Sequence, residues 1–330
     1  VTLPPDAPTD SSLPHHPLFD PVVLGTLCGL ASATIYTAAN SFLRSVKDCD
    51  PVWVSAIKAV PTVVFMTPWL LSMLARGQRV LPAWPITLSI VAAGLFGQLV
   101  GNISFQWALG QVGVALTVPL SLGGMIVSAA ILGRVFLHEP VTPRAAISLV
   151  ILLAAILVLS LGAGDARASV AKSAAAPLQV AAGAAAGCLA GFAYSVLNVV
   201  IRYAVLRGMP LPTTLFIVAS GGLVSLSTLA WLRIGSAGIV ATKPQDLALM
   251  LLAGACNTLA FLALTKSLQL TSVFYVNALN AAQAALAALA GVLIFQEALS
   301  PWLVQGVLLT IVGLAILTRS RPTLRPQQPA

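Results

Sequence analysis

The feature that most limits this sequence is the length of its sparsely charged apolar stretches. A membrane-spanning helix needs about 20 mostly apolar residues. The chain offers ten such stretches in succession: 22–44, 51–75, 85–108, 113–137, 143–163, 178–206, 211–234, 245–268, 273–296 and 300–319. The breaks carry Pro, Gly and charge, as in Lys47 to Pro51, Arg76 to Pro85, His138 to Pro143, Gly208 to Pro212 and Ser300-Pro301. Transmembrane strands are excluded, because the runs are too long and lack apolar/polar alternation. A soluble domain is excluded by charge: only 8 % of the 330 residues are charged and 58 % are hydrophobic, whereas a soluble chain carries about 25 % charged residues. Mean hydropathy is +0.96. The expected fold class is an all-α integral membrane protein with ten transmembrane helices.

The sequence divides at its polar segments. Residues 1–21 are Pro-rich and acidic, without Lys or Arg, and read as a disordered tail rather than the basic start of a secretory signal. The longest break, 164–177, falls near the middle and reads as a linker; residues 320–330 form a polar C-terminal tail. Between them lie two units, 22–163 and 178–319, each with five spans. An N-terminus on the inner side places ten Lys and Arg in the inner loops and tail (Arg76, Arg79, Arg134, Arg144, Arg202, Arg207, Lys266, Arg319, Arg321, Arg325). Six lie outside (Arg44, Lys47, Arg167, Lys172, Arg233, Lys243), and Lys58 is within a span. The positive-inside tendency therefore favours both termini cytoplasmic. The net charge of +8 is spread along loops with no basic patch, so nucleic acid is not an expected partner. Cys28, Cys49, Cys188 and Cys256 show no paired spacing and predict neither a disulfide framework nor a zinc site.

The two units are copies. An offset of 158 residues pairs Gly25 with Gly183, Gly29 with Gly187, Tyr36 with Tyr194, Asn40 with Asn198, Arg44 with Arg202, Gly133 with Gly291, Glu139 with Glu297 and Pro143 with Pro301. The rare residues decide, since the chain has only two Glu, four Tyr and six Asn. The register slips by a residue or two between spans 3 and 8. Because each copy has an odd number of spans, the second enters the membrane from the opposite face. The result is an inverted repeat, an architecture common among secondary transporters, with the substrate at the repeat interface.

The segments 132–159 and 290–317 each contain a Gly, an apolar pair, a Glu, a short polar link with Pro and a long apolar helix: "GRVFLHEPVTPRAAISLVILLAAILVL" and "GVLIFQEALSPWLVQGVLLTIVGLAIL". This double occurrence resembles the twice-repeated EamA domain of the drug/metabolite transporter superfamily, over about 22–319. The resemblance implies a ten-helix fold with both termini cytoplasmic. It also implies a central cavity lined by spans 1–4 and 6–9, with spans 5 and 10 peripheral, and movement of small metabolites, often outward. The first copy departs from the second in carrying Pro119 where the second has Asn277.

Lys58 is the sharpest single residue. A charge well inside a span costs at least about 2.5–3.5 kcal/mol on insertion scales and needs a partner, a cavity or a route to water. Pro51 is seven residues away, roughly 10 Å along a helix, so the side chain either snorkels to the surface or faces a cavity, where it favours an anionic solute. Polar residues recur at helical spacing: Gln98, Asn102 and Gln106 on span 3, Asn277, Asn280 and Gln283 on span 9, Tyr36 and Asn40 on span 1, Tyr194 and Asn198 on span 6, with Asn257 on span 8 and Trp107 near the end of span 3. As a set they suggest a shared polar cavity; singly, each equally suits hydrogen bonding between packed helices. Glu139 with Pro143, and Glu297 with Pro301, read as structural: Thr142-Pro143 and Ser300-Pro301 look like an N-cap followed by Pro at the first helical position, with each Glu satisfying donors at that helix start. Gly25/Gly29, Gly97/Gly101 and Gly183/Gly187/Gly191 have the spacing of helix-packing surfaces, and Pro61, Pro68 and Pro119 predict kinks.

The expected function is a secondary transporter, an exporter or exchanger, moving a small polar metabolite by alternating access. An alternative is a phosphate-ester or nucleotide-sugar exchanger using Lys58 and Lys266 as anion contacts. From another class, a non-transporting membrane sensor or scaffold keeps the same fold. An enzyme is not expected, because no His, Asp or Glu lies mid-span to do chemistry; no catalytic residue, metal or cofactor is predicted. The expected partners are a small-molecule substrate and the lipid bilayer, and a homodimer is compatible with the reading. The Ala/Leu/Gly-rich, Arg-over-Lys composition points to a bacterial inner membrane.

Overall fold

The computed structural model describes residues 20–44, 46, 49–81, 83–112, 114–167, 177–295 and 301–319. The described residues are helical, with no strand among them. In chain order the helices are α1 (Pro21–Arg44), α2 (Pro51–Ala75), α3 (Trp84–Phe96), a π-helical segment (Gly97–Asn102), α4 (Ile103–Val112), α5 (Val114–Phe136) and α6 (Pro143–Arg167). They continue as α7 (Pro177–Leu206), α8 (Leu211–Val240), α9 (Pro244–Leu270), α10 (Val273–Asn280), α11 (Ala282–Phe295) and α12 (Pro301–Arg319).

Helix starts follow the sequence punctuation. Proline opens α1, α2, α6, α7, α9 and α12, where its missing N–H has no intrahelical partner to lose. Asp20 Oδ1 accepts from the Val22 N–H at 2.9 Å. Asp50 Oδ1 accepts from Val52 and Trp53 at 2.9 and 3.1 Å, capping α2. The seventh expected span, 211–234, ends where α8 is interrupted at Gly235, whose φ of 64° and ψ of 178° suit a residue without Cβ.

Two expected spans differ from simple helices. Span 3 bears the π-helical segment, and span 9 is broken at Ala281 between α10 and α11. Among the described residues, seven helical stretches are long and apolar enough to cross a membrane: Pro21–Leu43, Pro51–Ala75, Trp84–Phe105, Thr117–Phe136, Ala181–Leu206, Leu211–Val240 and Pro244–Leu270. Pro143–Val158 and Val304–Arg319 are shorter apolar helices. The expected linker 164–177 is partly helical, since α6 runs to Arg167 and α7 starts at Pro177; residues 168–176, most of the N-terminal tail and the C-terminal tail lie outside the described residues.

Large apolar side chains face outward around the bundle: Val64, Phe65, Leu71 and Leu74 on α2, Ile147, Val150 and Leu157 on α6, Val224 and Leu232 on α8, Leu308 and Ile311 on α12. A soluble monomer does not expose so continuous an apolar surface. These are lipid-facing sides of an integral membrane protein.

The helix pairs obey the repeat. α1 packs on α9, as α3, the π segment and α4 pack on α7. α5 packs on α7, as α10 and α11 pack on α1. α2 meets α8, α6 meets α12 and α5 meets α10. Exchanging the two halves turns each pair into another of the set or into itself. Small residues make this contact close. A Cβ on Gly191 of α7 would stand 2.2 Å from the Ser121 carbonyl oxygen and 2.7 Å from the Met125 nitrogen of α5, so only glycine lets these backbones meet. Both contacts are backbone, so the helices themselves must move to admit a methyl group.

Gly191→Ala is therefore expected to destabilise the purified protein by about 1–3 kcal/mol, read as a lower midpoint of thermal unfolding in detergent. Gly221→Ala is the control: its Cβ meets only Leu95 Cδ2 at 3.6 Å, and its midpoint is expected to hold or rise. Equal effects would refute the packing role.

Candidate functional site

Lys58 leaves α2 towards the interior, not towards the membrane surface. With Ser55, Ala59 and Thr62 of α2 it lines a cavity of about 30 Å³, shared with Gln98 of the π segment, Ala219 of α8, and Asn257 and Phe261 of α9. Ser55, Lys58, Ala59 and Thr62 share one face of α2 through i, i+3 and i+4 steps. The cavity lies where α2 and α9 are closest: a Cβ on Gly254 would stand 2.7 Å from the Lys58 carbonyl oxygen. In this conformation its volume suffices for a water molecule or two.

A hydrogen-bonded chain runs from the cavity to α7. Asn102 Nδ2 donates to Gln98 Oε1 at 2.5 Å, and the Tyr194 hydroxyl donates to Asn102 Oδ1 at 2.8 Å. The π segment carries both Gln98 and Asn102, and such segments are frequent at functional sites. One turn further along α7, Asn198 Nδ2 donates to Asn277 Oδ1 of α10 at 2.7 Å. Gln283 Nε2 donates to Asn280 Oδ1 at 3.3 Å. Asn277 and Asn280 are buried, and Asn277 Nδ2 is without a partner.

Of the expected site residues, the structure joins Lys58, Gln98 and Asn257 at one cavity and links Asn102 and Tyr194 to it. Asn198, Asn277, Asn280 and Gln283 form a second polar group at α7, α10 and α11. Tyr36 is half-buried against an apolar cluster and lies within electrostatic reach of Tyr194. Asn40 is exposed on α1, and Trp107 is 48 % exposed on α4, so neither joins the cavity. The side chain of Gln106 and all of Glu297 lie outside what is described. Lys266 sits near the C-terminal end of α9, donating to Gln269 Oε1 at 2.9 Å. It is twelve residues beyond Gly254, about 18 Å along the helix, so the two lysines do not form one anion clamp. Ser55, Thr62, Ala219 and Phe261 were not singled out in the sequence; the i−3 and i+4 positions around Lys58 were the available signal for the first two.

Glu139 bonds at a different helix start from the expected one. The start of α6 at Pro143 is capped by Thr142 Oγ1, which accepts from the Ala145 N–H at 3.2 Å. Glu139 instead reaches across the bundle. Its Oε2 accepts from the Val273 N–H at the start of α10 at 2.9 Å, and its Oε1 accepts from Arg202 Nε of α7 at 2.5 Å. Arg202 Nη1 also donates to the Leu268 carbonyl at the end of α9. One buried ion pair thus ties the ends of α5, α7, α9 and α10 together. Pro301 opens α12 and is exposed. Arg202, which the sequence offers as a loop charge and as the repeat partner of Arg44, has an ion pair across the bundle that the sequence did not predict.

The fold and its internal polar groups define a helical membrane protein with a small, partly polar internal cavity. The sequence matches the EamA-like transporter family twice, over residues 22–161 and 181–319, and the chain belongs to that family, a group of membrane transporters. No curated protein matches it. A solved structure described only as "Crystal structure of protein" shares the fold, with a TM-score of 0.70 and 20 % identity over 92 % of this chain and 99 % of that one.

Removing one member of a buried pair leaves the other charge uncompensated, typically at about 3–5 kcal/mol, whereas removing both costs far less. Glu139→Gln is expected to lower the unfolding midpoint sharply, and adding Arg202→Met to recover much of the loss. Additive losses in the double variant would exclude the clamp.

Proposed function

We propose that this protein is a secondary transporter of a small polar metabolite, working by alternating access between two inverted five-helix repeats that together make ten spans. One observation carries the reading: residues equal by sequence are unequal in place. Asn198 and Arg202 are each 5 % exposed and bonded across the bundle, while Asn40, the counterpart of Asn198, is exposed. Tyr194 donates to Asn102, whereas its counterpart Tyr36 has no hydrogen bond among the described residues. The helix pairing obeys the exchange of halves, and these side chains break it. A chain of two equivalent halves in an unequal arrangement has a mirror arrangement of similar energy, in which the halves trade roles. Two such states, with a solute site between them, are the requirement for alternating access.

The Lys and Arg distribution supports both termini cytoplasmic. On that assignment the Arg202–Glu139 clamp closes the cytoplasmic end and the Asn40 end is the open one, so this is an outward-facing state. Composition supports a bacterial inner membrane. The separation of Lys58 from Lys266 argues against the two-lysine phosphate-ester exchanger.

The test is counterflow of labelled solutes in proteoliposomes, with site-directed thiol labelling in a variant whose four cysteines are replaced by Ser. Saturable counterflow of at least one solute is expected. A cysteine at Asn40 is expected to react with a membrane-impermeant maleimide at least tenfold faster than one at Asn198, and Glu139→Gln is expected to narrow that ratio. No flux across a broad panel of amino acids, sugars, organic acids and amines would leave the sensor or scaffold reading in its place.

A further inference from the structure

We propose that the Lys58 cavity binds the carboxylate of a singly charged organic acid, with its apolar remainder against Phe261. The proposal rests on the transporter reading for its purpose, and on the charges and hydrogen bonds of the cavity for its chemistry.

The charge comes first. Lys58 has no ion pair or hydrogen bond among the described residues. Three carboxylates are engaged elsewhere: Glu139 with Arg202 and Val273, Asp50 with the start of α2 and Arg233 at 3.4 Å, and Asp20 with the start of α1. Asp246 lies in the first turn of α9, near Cys49. An ammonium inside a bilayer needs compensation, and this one has none among the described residues.

The hydrogen bonds come next. Ser55 Oγ donates to the Pro51 carbonyl at 2.9 Å. Thr258 Oγ1 donates to the Gly254 carbonyl at 2.9 Å, so in the 2.8 Å contact between Thr62 and Thr258 the hydrogen belongs to Thr62. The Gln98 carbonyl is taken by Asn102, which leaves the Gln98 amide N–H groups free. The cavity therefore presents the three donors of Lys58, the N–H groups of Gln98, unpartnered among the described residues, and the Asn257 amide, against the remaining lone pairs of the Ser55 and Thr62 hydroxyls. A surplus of donors with one fixed positive charge suits an anion.

The same count narrows the class. A phosphate monoester brings close to two negative charges, and the nearest second cation on α9, Lys266, is three turns away. A zwitterionic amino acid brings an ammonium that needs a carboxylate to balance it, and no described carboxylate lines the cavity. A monocarboxylate matches one charge with one charge. Ala59, Ala219 and Phe261 leave room for a short apolar group once the helices part.

The test uses the full chain, in detergent for thermal unfolding and in liposomes for counterflow, with propionate, inorganic phosphate, alanine, choline and glucose as probes. A saturable rise in unfolding midpoint with propionate is expected, at least tenfold weaker in apparent affinity for Lys58→Met and retained by Lys58→Arg. Gln98→Glu sets a carboxylate beside Lys58 and is expected to abolish the propionate response. Without ligand, Lys58→Met and Gln98→Glu are both expected to unfold at a higher temperature than the parent, because each removes or neutralises an uncompensated charge; a snorkelling lysine gives no such rise. A propionate response unchanged in Lys58→Met, or a response to phosphate, choline, alanine or glucose but not propionate, overturns the proposal. Lys58-dependent propionate binding without flux of any solute upholds the anion site and sinks the transport reading. Flux of a neutral or cationic solute unaffected by Lys58→Met does the reverse.

Discussion

Inside a hydrocarbon layer no water is available to satisfy a polar group, and apolar side chains gain little by leaving lipid for protein. Those two facts together set how this bundle is held. Backbone approach at small residues supplies the packing, as at Gly191 against Ser121. Internal hydrogen bonds supply the rest: Ser267 Oγ donates to the Gly25 carbonyl at 2.7 Å, Ser148 Oγ to the Gly313 carbonyl at 2.8 Å, and Thr213 Oγ1 to the Val80 carbonyl at 2.8 Å. Hydroxyls without a distant partner turn back on their own helix, as Thr37 does to the Ala33 carbonyl at 2.9 Å. Against that background an unmatched donor is conspicuous, and Lys58 is the charged one.

The Arg202–Glu139 pair follows from the same constraint in the opposite sense. Burying two charges costs about as much as their attraction returns, while breaking the pair one-sidedly is expensive. Such a pair adds little net stability but admits only two comfortable conditions, both partners joined or both in water. Because Glu139 also holds the Val273 N–H and Arg202 also holds the Leu268 carbonyl, opening the clamp releases four helix ends at once. A contact with these properties suits a two-state element better than a permanent strut.

Much of this was legible in the sequence. Proline and charge marked the helix ends because they break helices locally, and the rare Glu, Tyr and Asn pairs exposed the repeat. What escaped has physical causes. A repeat predicts equal residues, but a folded chain occupies one arrangement, so Asn40 and Asn198 part company. Local capping logic assigned Glu139 to the helix next in sequence, whereas its acceptor oxygen meets a donor 134 residues on. The π segment at Gly97–Asn102 and the break at Ala281 carry no proline to announce them. Lys58 could not be oriented from its distance to the loop, because snorkelling and cavity-facing lysines sit at the same depth; only the neighbours on α8 and α9 decide.

The position of that cavity follows from the pairing of the halves. Exchanging them maps α2 onto α8 and the π segment onto α9, so the four elements that line the cavity form a set closed under the exchange. Under the proposed alternating access, a site so placed is shared by an arrangement and its exchanged form. Its amides obey the relation: with the one-residue slip in register, Gln98 and Asn257 correspond, and both line the cavity. Lys58 does not, because the residue 158 positions later is Phe216. The charge is thus single while the amides around it are paired. One fixed cation that serves both arrangements can hold the same anionic head in each, whereas a site on either half alone would lose it whenever the halves traded roles.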